Sequence, residues 1–340
     1  MTSPMKVGTL CGVAAGALWG LVFVVPLLLP DYPAPLLAFG RYLAFGLIAL
    51  PLAWWDRAAL ARLRRADWLQ ALRLAAVGNI TFYLLLTSAI QLAGAPLPTL
   101  IASGALPVVI AVASNLRAGR AALPWMQLFP SLGLILGGIA LVNHHELQAL
   151  QQHSASQLGD YGLGIGLALI AMLCWTWYPI RNADWLRAHA DFPPRTWATA
   201  QGLVTLPMAL LGFALSWLWL QQDGLDFTSP LGPRPWEFVG CMLTAGLLGS
   251  WLGTLCWNAA CQRLPTTVSG QLIVCETLAA LTYGFALRHQ LPPGETLAGI
   301  GLLVAGVLWA LRSRGTQAAP VAQTAPAPRA PQHATAHKAR

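Results

Sequence analysis

The sequence predicts an all-α integral membrane protein, with ten transmembrane helices arranged as two inverted five-helix repeats. Three observations carry that expectation: scarcity of charge, ten long apolar runs, and an internal duplication at nearly constant offset. Of 340 residues, 56% are hydrophobic and 9% charged, against about 25% charged in a soluble domain. So few charged side chains cannot cover a water-facing surface, and lipid must serve as the solvent. The 15 Trp agree, because Trp favours the membrane–water interface.

A helix needs about 20 apolar residues to cross the hydrocarbon core. Runs broken by Pro, Gly and charge give spans at 7–29, 34–54, 69–92, 96–116, 124–142, 161–181, 196–220, 236–261, 266–287 and 294–311. The first follows a single basic residue, Lys6, and is too long for the apolar region of a signal peptide, so it counts as a span. Spans three and four are separated only by the Ala93–Pro98 turn. From Thr316 the chain is rich in Ala, Pro and Gln and has no packing face.

Orientation follows from Lys and Arg, which gather in cytoplasmic loops. With the N-terminus inside, sixteen of the 20 basic residues fall on the cytoplasmic side. The outer loops hold Arg234 and Arg288, while Arg41 and Arg73 lie within spans. Both termini are therefore expected in the cytoplasm of a bacterial-type inner (plasma) membrane, on a multi-pass chain. The net charge of +8 is scattered through loops and tail, so it reads as topology signal and no nucleic-acid partner is expected.

The two halves resemble each other. Trp19 matches Trp175, and Gly46-Leu-Ile-Ala-Leu-Pro51 matches Gly202-Leu-Val-Thr-Leu-Pro207, both 156 positions on. Trp68 matches Trp236, Gly78 matches Gly246, and Gly133–Gly138 matches Gly301–Gly306, all 168 on. The difference of 12 is an insertion between spans seven and eight. Five spans per copy is odd, so the second copy enters the membrane inverted, the architecture of many secondary transporters. The expected units are a first repeat at 1–143, an outer loop at 144–160, a second repeat at 161–311 and a disordered cytoplasmic tail at 312–340.

Several short pieces resemble a known family: Gly16-Ala-Leu-Trp-Gly20, Phe39-Gly-Arg-Tyr42, Cys174-Trp175, the Glu276 region and Gly294-Glu295. In order and spacing they resemble the drug/metabolite transporter (DMT) superfamily, in particular its EamA-type permeases with two five-helix repeats. The resemblance spans about residues 7–311. It implies export or uptake of amino acids or other metabolites. Where the family often carries Glu-Pro, this chain has Glu276-Thr277, so no proline kink is expected there. Where the second repeat has Gly294-Glu295, the first has Met126-Gln127.

Of the twelve acids, Glu276 alone lies deep in a span, about ten residues or roughly 15 Å in. A charge there costs about 2.5–3.5 kcal/mol on insertion scales, so an intramembrane carboxyl is a functional candidate. Two roles fit it, proton coupling and gripping a substrate ammonium; a structural hydrogen bond to a neighbouring helix is the third reading. Arg41, about seven residues into span two, either anchors that helix end by snorkelling, binds a substrate carboxylate or neutralises Glu276. If Arg41 and Glu276 face one cavity, they suit a zwitterion such as an amino acid.

Further substrate-binding candidates are the deep aromatics Trp19, Tyr83, Trp175, Tyr178 and Trp251, with the polar Asn79, Ser103 and Gln271; Ser250 lies at similar depth. Trp175 and Tyr178 are three apart and share a helix face, and Trp19 and Trp175 are repeat counterparts. Each polar group either orients a substrate or bonds between helices. Gly8, Gly12, Gly16 and Gly20 form a stripe that lets a neighbouring backbone approach.

No GxxxxGK[ST] loop occurs, so the chain does not hydrolyse ATP through one. The six Cys lack metal spacing and read as small buried hydrophobes. His144-His145-Glu146 sits in an outer loop without a ligand set, so no metal or other cofactor is expected. The function expected is a secondary transporter moving a small polar metabolite by alternating access around a site walled by spans one, three, four, six, eight and nine, with export the direction that the family resemblance implies. A membrane-embedded enzyme would need a cluster of His, Asp or Glu at one depth; a scaffold or receptor would more naturally carry a sizeable extramembrane domain. Expected partners are the small-molecule substrate and the lipid bilayer, with the protein a monomer or homodimer.

Overall fold

The computed structural model describes residues 3–93, 101, 105–117, 124–142, 144, 158–222, 231–287, 289 and 291–315. Regular structure among them is helical throughout, without a strand. Eight helices are long and apolar enough to cross a membrane: α1 (Pro4–Leu28), α2 (Ala34–Trp55), α3 (Arg65–Ala89), α5 (Trp125–Val142), α6 (Gly159–Ala188), α7 (Pro194–Gln221), α8 (Pro235–Arg263) and α9 (Val268–Leu287). Two shorter apolar helices are α4 (Val108–Arg117) and α10 (Gly294–Trp309).

Eight expected spans thus meet long helices, while spans four and ten meet α4 and α10. Most of 96–104, the start of span four, lies outside the described residues, and so does the chain beyond 315. The final helix continues to Gly315, past the 312 boundary expected for the tail.

Proline and glycine shape these helices. Prolines open α2 and α8, where the missing N–H costs nothing and the fixed φ suits the first turn. Pro51, Pro130, Pro179 and Pro207 lie inside helices. Helices α3 and α8 each contain a π-helical stretch, Ala75–Thr81 and Ala245–Leu252, and each stretch holds one of the duplicated glycines, Gly78 and Gly246.

Close crossings fall on four of the other duplicated glycines. At the α2–α7 crossing, Gly46 meets Leu206, and Gly202 meets Ala49 and Phe45. At the α5–α10 crossing, Gly138 meets the Gly299 carbonyl and Leu303, and Gly306 meets the Ser131 carbonyl and Ile135. A Cβ at any of them would collide with its neighbour. The stripe on α1 works likewise: Gly12, Gly16 and Gly20 press on Leu272, Cys275 and Ala279 of α9.

The two ends of the bundle differ in charge. At one, Arg117 and Arg187 pair with Asp184 at 2.9 and 3.0 Å, Arg62 pairs with Asp191 at 2.8 Å, and Arg195 pairs with Asp56 at 2.8 Å. At the other, Arg234 bonds Asp31, Glu237 and the Leu28 carbonyl. These contacts tie the loop after α2 to that between α6 and α7, and the loop after α1 to that between α7 and α8.

Candidate functional site

A cavity of about 330 Å³ opens among α1, α2, α3, α6 and α9. Its lining runs from exposed Leu27 and Pro30 at the Arg234 end down to Trp19, Trp175 and Glu276 in the middle of the bundle. Aromatic and aliphatic side chains form most of the wall, with Arg41 and Glu276 the charged groups.

The floor is a stack of rings. Trp19 meets Trp175 edge-on at 5.8 Å and Trp257 at 5.3 Å. Trp175 lies between Phe82 at 4.7 Å and Tyr178 at 5.1 Å, nearly parallel to both. Beneath the floor, toward the arginine-rich end, sits a buried polar layer. The Tyr178 hydroxyl donates to Gln201 Oε1 at 2.8 Å, Gln201 Nε2 to Asn182 Oδ1 at 3.2 Å, and Trp197 Nε1 to the same oxygen at 2.8 Å. Asn182 Nδ2 then donates to Asn258 Oδ1 at 2.8 Å, and Asn258 Nδ2 to the Pro194 carbonyl at 3.3 Å. Asn182 and Asn258 are both 0% exposed. Among the described residues the cavity is thus accessible from the Arg234 end, and these rings and amides lie between it and the arginine-rich end.

Arg41 is held against the wall. Its Nε donates to Ser250 Oγ at 2.9 Å, and its Cζ lies 5.1 and 5.7 Å from the Tyr42 and Tyr83 ring centres. The π-helical stretch of α8 sets Ser250, whose Oγ donates to the Ala245 carbonyl five residues back at 3.3 Å. No carboxylate among the described residues comes within 4.0 Å of Arg41.

Glu276 lies where α9 is interrupted. The helix Thr266–Leu272 ends, another begins at Val274, and the Glu276 N–H donates to the Ile273 carbonyl at 2.8 Å. The chain breaks there without a proline. Glu276 is 8% exposed, and its Oε2 is buried with no hydrogen-bond partner among the described residues. A buried polar atom without a partner costs about 1–3 kcal/mol, more if charged. The site therefore holds an unsatisfied acceptor and a guanidinium without a counter-ion on one cavity. That arrangement can receive a solute bearing a donor or cation at one point and an anion at another.

Of the candidates read from the sequence, Trp19, Arg41, Tyr83, Trp175 and Glu276 line this cavity. Tyr178 lies just below it. Three others do not line it and instead bond between helices: Asn79 to Thr205, Trp251 to Thr199, and Gln271 to Ser131. Ser103 lies outside the described residues, as do His145 and Glu146; His144 meets Glu295 at 3.0 Å. Sequence reasoning missed Tyr42 and Phe82 in the wall, although each adjoins a named candidate. It also missed the Asn182, Gln201 and Asn258 layer, whose signal was a set of amides within apolar spans. Among the described residues helix α2 lines the cavity, whereas α4 and α8, expected in its wall, do not; α8 enters through Ser250.

A multi-pass helical bundle with a half-open, aromatic, charge-bearing central cavity defines a membrane transporter. Residues 6–144 match the EamA-like transporter family. The chain is 50% identical over 313 residues to Inner membrane protein YtfF of Escherichia coli (strain K12), covering 90% of this chain and 95% of that protein. The chain belongs to the EamA-like transporter family, of the drug/metabolite transporter superfamily. A crystal structure of a protein 17% identical shares the fold, with a TM-score of 0.68 over 90% of this chain and 98% of the other.

Proposed function

We propose that this protein is a secondary transporter that exports a small polar metabolite, such as an amino acid, across the inner membrane by alternating access. The observation that carries the reading is Arg41 and Glu276 on one cavity with no ion pair between them. A transporter that bound its charged groups to each other would have to break that pair for every substrate. Here Ser250 and two tyrosine rings occupy Arg41, and the carboxyl waits. Glu276 grips an amino group or carries the coupled proton, and Arg41 receives a carboxylate.

The chain is further proposed to be ten spans in two inverted repeats. Supporting this, the counterpart glycines Gly46 and Gly202 meet one crossing, Gly138 and Gly306 another, and both π-helical stretches fall on counterpart helices. Counterparts Trp19 and Trp175 touch at the centre. The arginine-rich end is assigned to the cytoplasm, with both termini, so the open end faces outward. Substrate and lipid are the proposed partners of a monomer or homodimer.

The test compares metabolites inside and outside cells overproducing wild type or Glu276→Gln at equal membrane levels. A solute class shifted outward by wild type and not by the variant is expected. Inward accumulation would overturn the direction, and equal shifts would remove Glu276 from the mechanism.

A further inference from the structure

A second cavity, about 410 Å³, lies on the outer surface of the bundle between α3, the end of α4 and α6, toward the arginine-rich end. Its lining joins two chemistries: the guanidinium groups of Arg73, Arg117 and Arg181 on one side, and Leu173, Trp177 and Ile180 on the other. The positive charge is in excess. Asp184 takes Arg117 at 2.9 Å, Arg187 at 3.0 Å and Arg181 at 3.9 Å, so one carboxylate is shared by three arginines. Arg73 makes no ion pair or hydrogen bond with a described residue. Thr176 also lines the groove; it is 8% exposed, and its Oγ1 is buried without a partner among the described residues. A threonine inside a helix can satisfy its hydroxyl on its own backbone; this one does not among the described residues.

Depth decides which ligand. Arg73 stands eight residues past the start of α3 at Arg65, roughly 12 Å along the helix. Leu173, farther from the charged end along α6, is 60% exposed, an apolar surface that faces lipid. A soluble anion would use the arginines and gain nothing from Leu173 and Trp177. A molecule with a phosphate above an alkyl chain uses both, and basic pockets between transmembrane helices suit anionic headgroups.

We propose that this groove binds an anionic glycerophospholipid of the surrounding bilayer, its phosphate held by Arg73, Arg117 and Arg181 and an acyl chain lying along Leu173. The lipid would bridge α3, α4 and α6 at the end of the bundle that is closed in this structure.

Native mass spectrometry of the purified full-length protein, titrated with palmitoyl-oleoyl phosphatidylglycerol or phosphatidylcholine, tests this. Wild type is expected to carry one phosphatidylglycerol bound at least about fivefold more tightly than phosphatidylcholine, and Arg73→Gln to weaken it about fivefold. The triple variant Arg73→Gln/Arg117→Gln/Arg181→Gln should bind both lipids equally. Removing the same charge elsewhere, by Arg57→Gln/Arg65→Gln/Arg263→Gln, should leave the preference intact. Equal loss in that control would make the effect general surface attraction and overturn the site. Displacement of the bound lipid by millimolar inorganic phosphate would assign the groove to a soluble anion and overturn the lipid. Arg73→Gln keeps the test decisive should the triple variant fold poorly, since its side chain holds no described partner.

Discussion

Replacing Asn258 by leucine is expected to open the sealed half of the protein. Asn258 accepts from Asn182 Nδ2 at 2.8 Å and donates to the Pro194 carbonyl at 3.3 Å, so it joins α8 to α6 and to the start of α7. Leucine removes both bonds and leaves the Asn182 amide and the Pro194 carbonyl without these partners in a layer where Asn182 and Asn258 are 0% exposed. Unsatisfied buried groups cost about 1–3 kcal/mol each in soluble proteins, but interhelical bonds in membrane proteins average about 0.6 kcal/mol. The lower figure fits here, giving about 1.2 kcal/mol for two bonds, or roughly an eightfold rise in the opened population. Cys261 reports on it directly: it is 0% exposed and packs in the same buried cluster as Trp185, Trp197 and Trp257. With the other five cysteines replaced, the rate at which a maleimide labels Cys261 should rise by that factor in Asn258→Leu. Gln271→Leu, which loses the bond to Ser131 between α9 and α5, serves as the control for general loosening and should leave the rate unchanged. An unaltered rate in Asn258→Leu, or an equal rise in both variants, would refute the claim that this layer is the closed gate.

Ser250→Ala should free the Arg41 guanidinium and raise the apparent KM for the transported solute about tenfold, the value of one hydrogen bond to a charged group. Vmax should hold, and Ser250→Thr, which keeps the hydroxyl, should restore affinity; transport assays in inside-out vesicles read both. Gly78→Ala puts a methyl into the Tyr178 ring within the π-helical stretch of α3, and overpacking of this kind costs about 1–3 kcal/mol. Its melting temperature in detergent should fall clearly, whereas Gly133→Ala, with nothing within 4 Å of the added carbon, should melt like wild type.

Depth along each helix was legible in the sequence, because charge and proline mark where helices end. That sufficed to bring Arg41, Glu276, Trp19 and Trp175 to the right level. Direction around the helix was harder to read. A helix apolar on all sides has no polar face to reveal which side meets a neighbour, so depth left Asn79 and Gln271 open between orienting a substrate and bonding between helices; the structure shows the bonds, and Trp251, named as a cavity aromatic, makes one too. The π-helical stretches add to this. Extra residues in a turn rotate the succeeding turns relative to an unbroken helix, and Trp251, the counterpart of Tyr83, points to Thr199 while Tyr83 lines the cavity. The break in α9 was hidden because it occurs at Ile273 without proline or glycine at the break itself. The glycine stripe of α1, in contrast, was read as a close-packing face, and Gly12, Gly16 and Gly20 press on α9, a partner that emerges only in three dimensions.

The central claim is that one cavity recognises its solute through Arg41 and Glu276 together. Transport of the solute and of two analogues, one lacking the amino group and one lacking the carboxylate, should be measured in wild type, Arg41→Gln and Glu276→Gln. The expected result is crossed: Glu276→Gln ceases to favour the solute over its amine-free analogue, and Arg41→Gln ceases to favour it over the carboxylate-free one. If both variants keep the wild-type order of preference, the solute is recognised elsewhere and the account of this site is wrong.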